Sequence, residues 1–183
     1  LPDLPAGAAV RFGYWEESRV SGRINRDLNR NGSPVDKFGV LAVAVGGSGF
    51  DRVWVDTDDD RSFRDEAPLR VYRASGDTQR LGPFRTGQAA EAQLSFVLAD
   101  IDPAGNWVSF GFDSLGHGTQ VAGVAAASGP DMTGIAPGAE LMALKVINSR
   151  DEGSWFAIRE AIQYAASQGA KIINVSLGGL PVA

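Results

Sequence analysis

The residues best suited to chemistry lie in one run, Asp113-Ser114-Leu115-Gly116-His117-Gly118-Thr119-Gln120-Val121-Ala122-Gly123. This run holds the chain's single histidine, set between two glycines at the expected start of a helix. Imidazole accepts and returns a proton near neutral pH, so His117 is the candidate general base. Gly118 lets a backbone or a substrate approach the ring, while Ala122, Gly123, Ala125 and Ala126 let the helix press on its neighbours. An arbitrary histidine is more often a solvated or core residue than a catalytic one, and here the surroundings reverse that expectation.

Composition narrows the chemistry further. One histidine excludes any site that needs two imidazoles, and the absence of cysteine excludes disulfides, thiolate zinc sites and a cysteine nucleophile. It also leaves the compartment open. With 17 basic and 22 acidic residues the net charge is −5, which disfavours a nucleic-acid binder. The 183 residues are 44% hydrophobic, enough for a real core. No run approaches the ~20 apolar residues of a membrane helix, so no membrane partner is expected.

The elements that must position His117 change character along the chain. Residues 1–110 carry most of the charge and hold short apolar runs, Phe38–Val45, Phe50–Val55, Leu69–Arg73, Gln93–Ile101 and Asn106–Phe112. Turn residues at Gly46-Gly47, Ser75-Gly76-Asp77 and Pro103-Ala104-Gly105 separate them, so this half reads as β-rich and largely antiparallel. Residues 111–183 are rich in glycine and alanine and switch to helix, strand, helix, strand. The pattern predicts helices over Gly116–Ala127 and Ser154–Gln168 and buried strands over Leu141–Ile147 and Lys171–Val175. Strands alternating with helices imply a parallel sheet in an α/β layer.

The histidine run resembles the His-Gly-Thr-x-Val-Ala-Gly block of the subtilisin-like serine peptidases. A chance match of that length is on the order of 10⁻⁵ or rarer over this chain. Two further blocks follow in order. Gly134-Ile135-Ala136-Pro137-Gly138 is similar to the turn leading into the family's next strand. Asn174-Val175-Ser176-Leu177-Gly178-Gly179 is similar to the block ending a central strand beside the substrate cleft. The resemblance covers residues 111–183. It implies part of a doubly wound, mostly parallel sheet completed by strands upstream and downstream, and peptide-bond hydrolysis through an acyl-enzyme. His117 would relay the serine proton to the leaving amine, and a buried aspartate would orient the ring.

The family's serine motif, Gly-Thr-Ser-x-Ala-x-Pro, does not occur in the sequence. The nucleophile and the oxyanion asparagine are therefore expected after Ala183. Val53-Trp54-Val55-Asp56-Thr57 superficially resembles the family's aspartate strand, yet Asp58 replaces its glycine. Pro2-Asp3-Leu4 is similar to a segment that follows the catalytic aspartate, which places that residue before Leu1. On this reading residues 1–19 follow the aspartate block, residues 20–110 are a β-rich insertion, and residues 111–183 are a partial catalytic domain. The stretch from Phe50 to Asp60 resembles part of the long insertion that tripeptidyl-peptidase II carries at the same place.

The resemblance also suggests substrate contacts. Asp151, Glu152 and Gly153 fall where the family has an edge segment that pairs with extended substrate, and Ser176, Leu177 and Gly178 fall where the opposite wall begins. Asp151-Glu152-Gly153 also fits a plain acidic turn before a helix. No cofactor is required for the catalysis implied, and no metal ligand is assigned. Two acidic loops nevertheless have calcium-like spacing. Asp27-Leu28-Asn29-Arg30-Asn31-Gly32 has glycine sixth but Phe38 where a closing glutamate belongs. Asp56, Asp58 and Asp60 alternate but are followed by Arg61. Solvated turns are the plainer reading of both. The expected partners are a protein or peptide substrate and, through uncovered strand edges over residues 140–183, a second copy of the chain. The rival to a peptidase is a non-catalytic interaction or oligomerisation module from a degenerate relative.

Overall fold

The computed structural model describes residues 1–20, 22, 24–47, 49–82 and 94–178. It divides into two units, Leu1–Ser21 with Asn25–Phe112, and Gly22–Ile24 with Asp113–Ala183.

The first unit holds two antiparallel sheets. In one, β1 (Ala9–Glu16), β2 (Lys37–Ala44) and β3 (Arg52–Val55) lie in chain order. In the other, β4 (Gln79–Arg80), β5 (Ser95–Ile101) and β6 (Val108–Phe112) do the same, with a register irregularity between Leu98 and Asp100. As the central strand, β2 buries both its faces, which explains its unbroken apolar run Phe38 to Val43. Its Leu41 and Val43 pack with Trp54 and Phe63. Trp15 on β1 stacks on Phe110 at 4.7 Å and meets Phe38, Phe96 and Phe112, so aromatic rings join the two sheets. Gln93, expected to open a strand, lies outside the described residues.

Three features differ from expectation. β1 is a strand not foreseen from the sequence. The run Leu69–Arg73 is no strand: Leu69 and Val71 make single bridges to Val53 and Leu98, and Tyr72–Ser75 (α1) is a helical turn closed by Gly76 at φ 73°. The runs Leu141–Ile147 and Lys171–Val175 join no ladder. Their one bridge links Ile147 to Gly153, and Ile172 is 88% exposed. Parallel pairing is non-local and exists only where neighbouring strands stand on the edges, and no strand of the second unit does so among the described residues. The described residues thus contain the helices of the expected α/β layer but not its parallel sheet.

The second unit is built on α2 (His117–Ala126) and α3 (Trp155–Ser167). Ser154 caps α3 by accepting the Ala157 N–H, and Gly169 at φ 82° ends it with an Ala170 N–H donated to the Ala165 carbonyl. Ala165 is the only buried residue of the two helices. Among the described residues no helix is long and apolar enough to cross a membrane.

Both acidic loops are ordered, and their backbones match. The first residue of each, Asp27 or Asp56, accepts the N–H groups of the fifth and sixth. The third residue's side chain also accepts the fifth N–H, and the fifth side chain accepts the seventh N–H. The fourth and sixth residues have positive φ in both: Arg30 and Gly32 in the first, Asp59 and Arg61 in the second. Gly39 on β2 makes room for the second loop, since a Cβ there would stand 3.1 Å from the Phe63 ring and 3.4 Å from Asp56 Cβ. In the first loop the amides of Asn29 and Asn31 donate to Asp36, and the buried Glu17 carboxylate accepts the N–H groups of Leu28 and Asp36.

In the second loop, burial pushes the Glu66 carboxyl up to about 7, aided by the charges of Asp65, Asp56 and Asp58 and opposed by the Thr57 N–H. A folded-state value above the unfolded one means that the folded chain holds a proton longer as pH rises. In a chelator-containing buffer the first unit is therefore expected to lose stability between pH 4.5 and about 7. Tm measured across that range checks this, and Glu66→Gln should flatten the profile.

Candidate active site

His117 is the first residue of α2, preceded by Gly116 at φ 76°, a left-handed conformation that suits glycine. The turn before it is organised by Asp113, a residue that sequence reasoning quoted but gave no role. Asp113 Oδ1 accepts the N–H groups of Leu115 (3.3 Å) and Gly116 (2.9 Å). Its Oδ2 accepts the Thr119 N–H (2.8 Å) and the Thr119 hydroxyl (2.6 Å). Burial pulls the Asp113 carboxyl upward, but these hydrogen bonds outweigh it and hold it below its ordinary value. One carboxylate thus fixes the residues on both sides of His117. The signal was an acidic residue four positions before the histidine with a threonine two positions after it.

The far end of α2 is held with equal economy. Gly134, Ile135 and Ala136 donate their N–H groups to the carbonyls of Ala127, Val124 and Ala125, which the helix leaves open. A Cβ on Gly134 would lie 2.6 Å from the backbone nitrogens of Ala126 and Ala127, so the run Gly134-Ile135-Ala136 admits only glycine at its head.

The expected cleft residues lie in two other segments. Asp151, Glu152 and Gly153 form a tight turn around Asn148, whose Oδ1 accepts the N–H groups of Arg150 and Glu152, while the Asn148 N–H donates to the Glu152 carbonyl. Asp151 has φ 64°, and a Cβ on Gly153 would collide with Ile147 at 2.6 Å. Ser176 Oγ accepts a hydrogen bond from the Asn174 amide, Leu177 is 40% exposed, and open space surrounds Gly178. Gly179 lies outside the described residues. Among the described residues no hydrogen bond links the His117 ring to either segment, to an aspartate or to a serine. Asp56, whose surroundings superficially resemble the family's aspartate strand, is taken up by its own loop.

The exposed imidazole of His117, at a helix start braced by an acidic turn, lies within residues 101–182, which match the subtilase family, peptidase S8. Among curated relatives, pyrolysin from Pyrococcus furiosus is 37% identical over 84% of this chain and 13% of its own length. Thermitase from Thermoactinomyces vulgaris is 49% identical over 35% of this chain and 24% of its own, and subtilisin DY from Bacillus licheniformis is 44% identical over 63% and 42%. These matches make residues 101–182 similar to the subtilases, a family of serine peptidases with an α/β fold. The chain spans less than half the length of each relative. No solved structure matches it.

Proposed function

We propose that the chain is the histidine-bearing part of a serine peptidase that cleaves protein or peptide substrates through an acyl-enzyme. His117 takes the proton from a serine supplied outside these 183 residues and returns it to the leaving amine, while an aspartate, also outside them, orients the ring. The Asp151–Gly153 turn and the Ser176–Gly178 segment form the two walls along which an extended substrate lies. Residues 20–110 are an insertion between the aspartate and histidine blocks, similar to that of tripeptidyl-peptidase II, residues 1–19 precede it, and residues 111–183 belong to the catalytic domain. The observation that carries the reading is His117 at the braced start of α2 within the segment that matches the subtilases.

The 183-residue chain alone is expected to show no turnover of a chromogenic peptide and no labelling by a fluorophosphonate. Loss of the serine alone costs about 10⁶ in rate in subtilisin. The same chain within a longer reading frame that supplies a Gly-Thr-Ser-x-Ala-x-Pro block is expected to label. Labelling of the short chain would place a nucleophile within it, and failure of the long one to label would favour a non-catalytic module.

A further inference from the structure

Gly22–Ile24 group with the second unit, although the chain before and after them belongs to the first. Within the second unit Gly22 meets the turn that runs from Asn148 to Gly153. Gly22 has φ 122°, a backbone conformation that side chains rarely adopt. A Cβ there would collide with the Ser149 carbonyl and stand 3.1 Å from the Arg150 nitrogen. The two segments thus touch backbone to backbone, an approach that only glycine permits.

The turn is of a kind that needs support from outside itself. Asn148 closes it by accepting the N–H groups of Arg150 and Glu152 and by donating its own N–H to the Glu152 carbonyl, and Ile147 bridges to Gly153. Those bonds are internal, so they set the turn's shape and not its place. Burial adds little, since of residues 148–153 only Ser149 is not exposed. It is the residue against which Gly22 stands. Asp151 at φ 64° adds a left-handed conformation that costs a residue with a side chain energy, and its surroundings must hold it there.

We propose that Gly22 is a positioning residue for extended substrate: it holds the Asn148–Gly153 turn where a peptide strand can pair with it. The inference rests on the proposed function, in which Asp151–Gly153 form one wall of the cleft. Strand pairing runs through backbone groups over several residues, so a displaced wall costs a long substrate several hydrogen bonds together. A short substrate, held near the scissile bond alone, does not reach the wall and loses nothing. Gly22 therefore tunes the preference for long over short substrates, and it does so from the half of the chain that does not carry His117.

Two measurements test this, each on Gly22→Ala with Gly32→Ala as the comparison. Gly32 also has a positive φ, 95°, but open space around it, so its variant carries backbone strain without the collision. In the 183-residue chain, hydrogen exchange at the Arg150 and Glu152 amides should quicken at least about fivefold in Gly22→Ala and stay within about twofold in Gly32→Ala. In the longer reading frame that supplies the serine, kcat/KM for an extended peptide amide should fall at least about fivefold in Gly22→Ala. For a single-residue ester it should stay within about twofold, as should the rate of fluorophosphonate labelling. Should Gly22→Ala fold poorly, inserting two glycines after Gly22 slackens the segment without a collision and should give the same pattern. A wild-type longer chain that never labels overturns the peptidase reading and this role with it. Unchanged exchange at the turn, or a labelling enzyme whose Gly22 variants weaken long and short substrates alike or neither, overturns the positioning role alone.

Discussion

On the proposed function, replacing His117 by alanine in a longer reading frame that supplies the serine is expected to lower kcat by about 10⁶, the size of the loss when subtilisin is stripped of its base. Folding should scarcely change. The ring is exposed at the first position of α2 and makes no hydrogen bond among the described residues, while the turn around it is held by Asp113 through backbone groups and Thr119. Circular dichroism should therefore match the wild type while fluorophosphonate labelling falls to background. Asp113→Ala is the instructive comparison, because it should loosen the start of the helix and lower activity with the imidazole still present. Wild-type labelling of His117→Ala would remove the residue from the mechanism.

The second large effect concerns stability. Phe96→Ala is expected to cost the first unit about 3–5 kcal/mol. Phe96 is 1% exposed on β5 and touches Trp15 at 5.1 Å and Phe110 at 5.5 Å, so its removal leaves a void where the two sheets meet. Domains are typically stable by only 5–15 kcal/mol, so this change takes a large share. Chemical denaturation followed by near-ultraviolet dichroism measures it. Limited proteolysis gives the complementary view: cuts should fall first in residues 113–178, where Ala165 is the one buried apolar residue, and later in the first unit. Loss of the first unit before the second would show the packing to be misjudged.

The sequence made local features more legible than the architecture, and particular residues show why. His117 and the Gly134–Gly138 turn are local signals: a proton-transfer residue beside glycines, and a glycine whose absent Cβ lets a loop seal a helix end. The boundaries of α3 were readable for the same reason, since Ser154 and Gly169 act within a few residues of themselves. Strands β2, β3, β5 and β6 announced themselves by apolar runs between turns. β1 did not, although Val10, Phe12 and Tyr14 alternate with Arg11 and Gly13, because Trp15 turns apolar on the other face to meet the second sheet. That contact depends on residues some eighty to a hundred positions away. Leu141–Ile147 and Lys171–Val175 failed in the opposite sense. Their composition describes the inside of a parallel sheet, but pairing is decided by what lies alongside rather than by the strand's own residues. The conformation of the Asp56 loop was hidden by Arg61, which adopts the left-handed backbone that glycine would have advertised.

The aromatic junction of the first unit also gives the protein two optical populations. Trp54 is buried and Trp15 is wedged among phenylalanines, whereas Trp107 and Trp155 are 52% and 70% exposed. The first pair emits from an apolar, slowly relaxing surrounding, the second from water. Quenching by iodide should silence the long-wavelength part of the fluorescence and leave the short-wavelength part lit, so a single emission spectrum distinguishes a molecule whose sheets are still joined from one whose surface alone has changed.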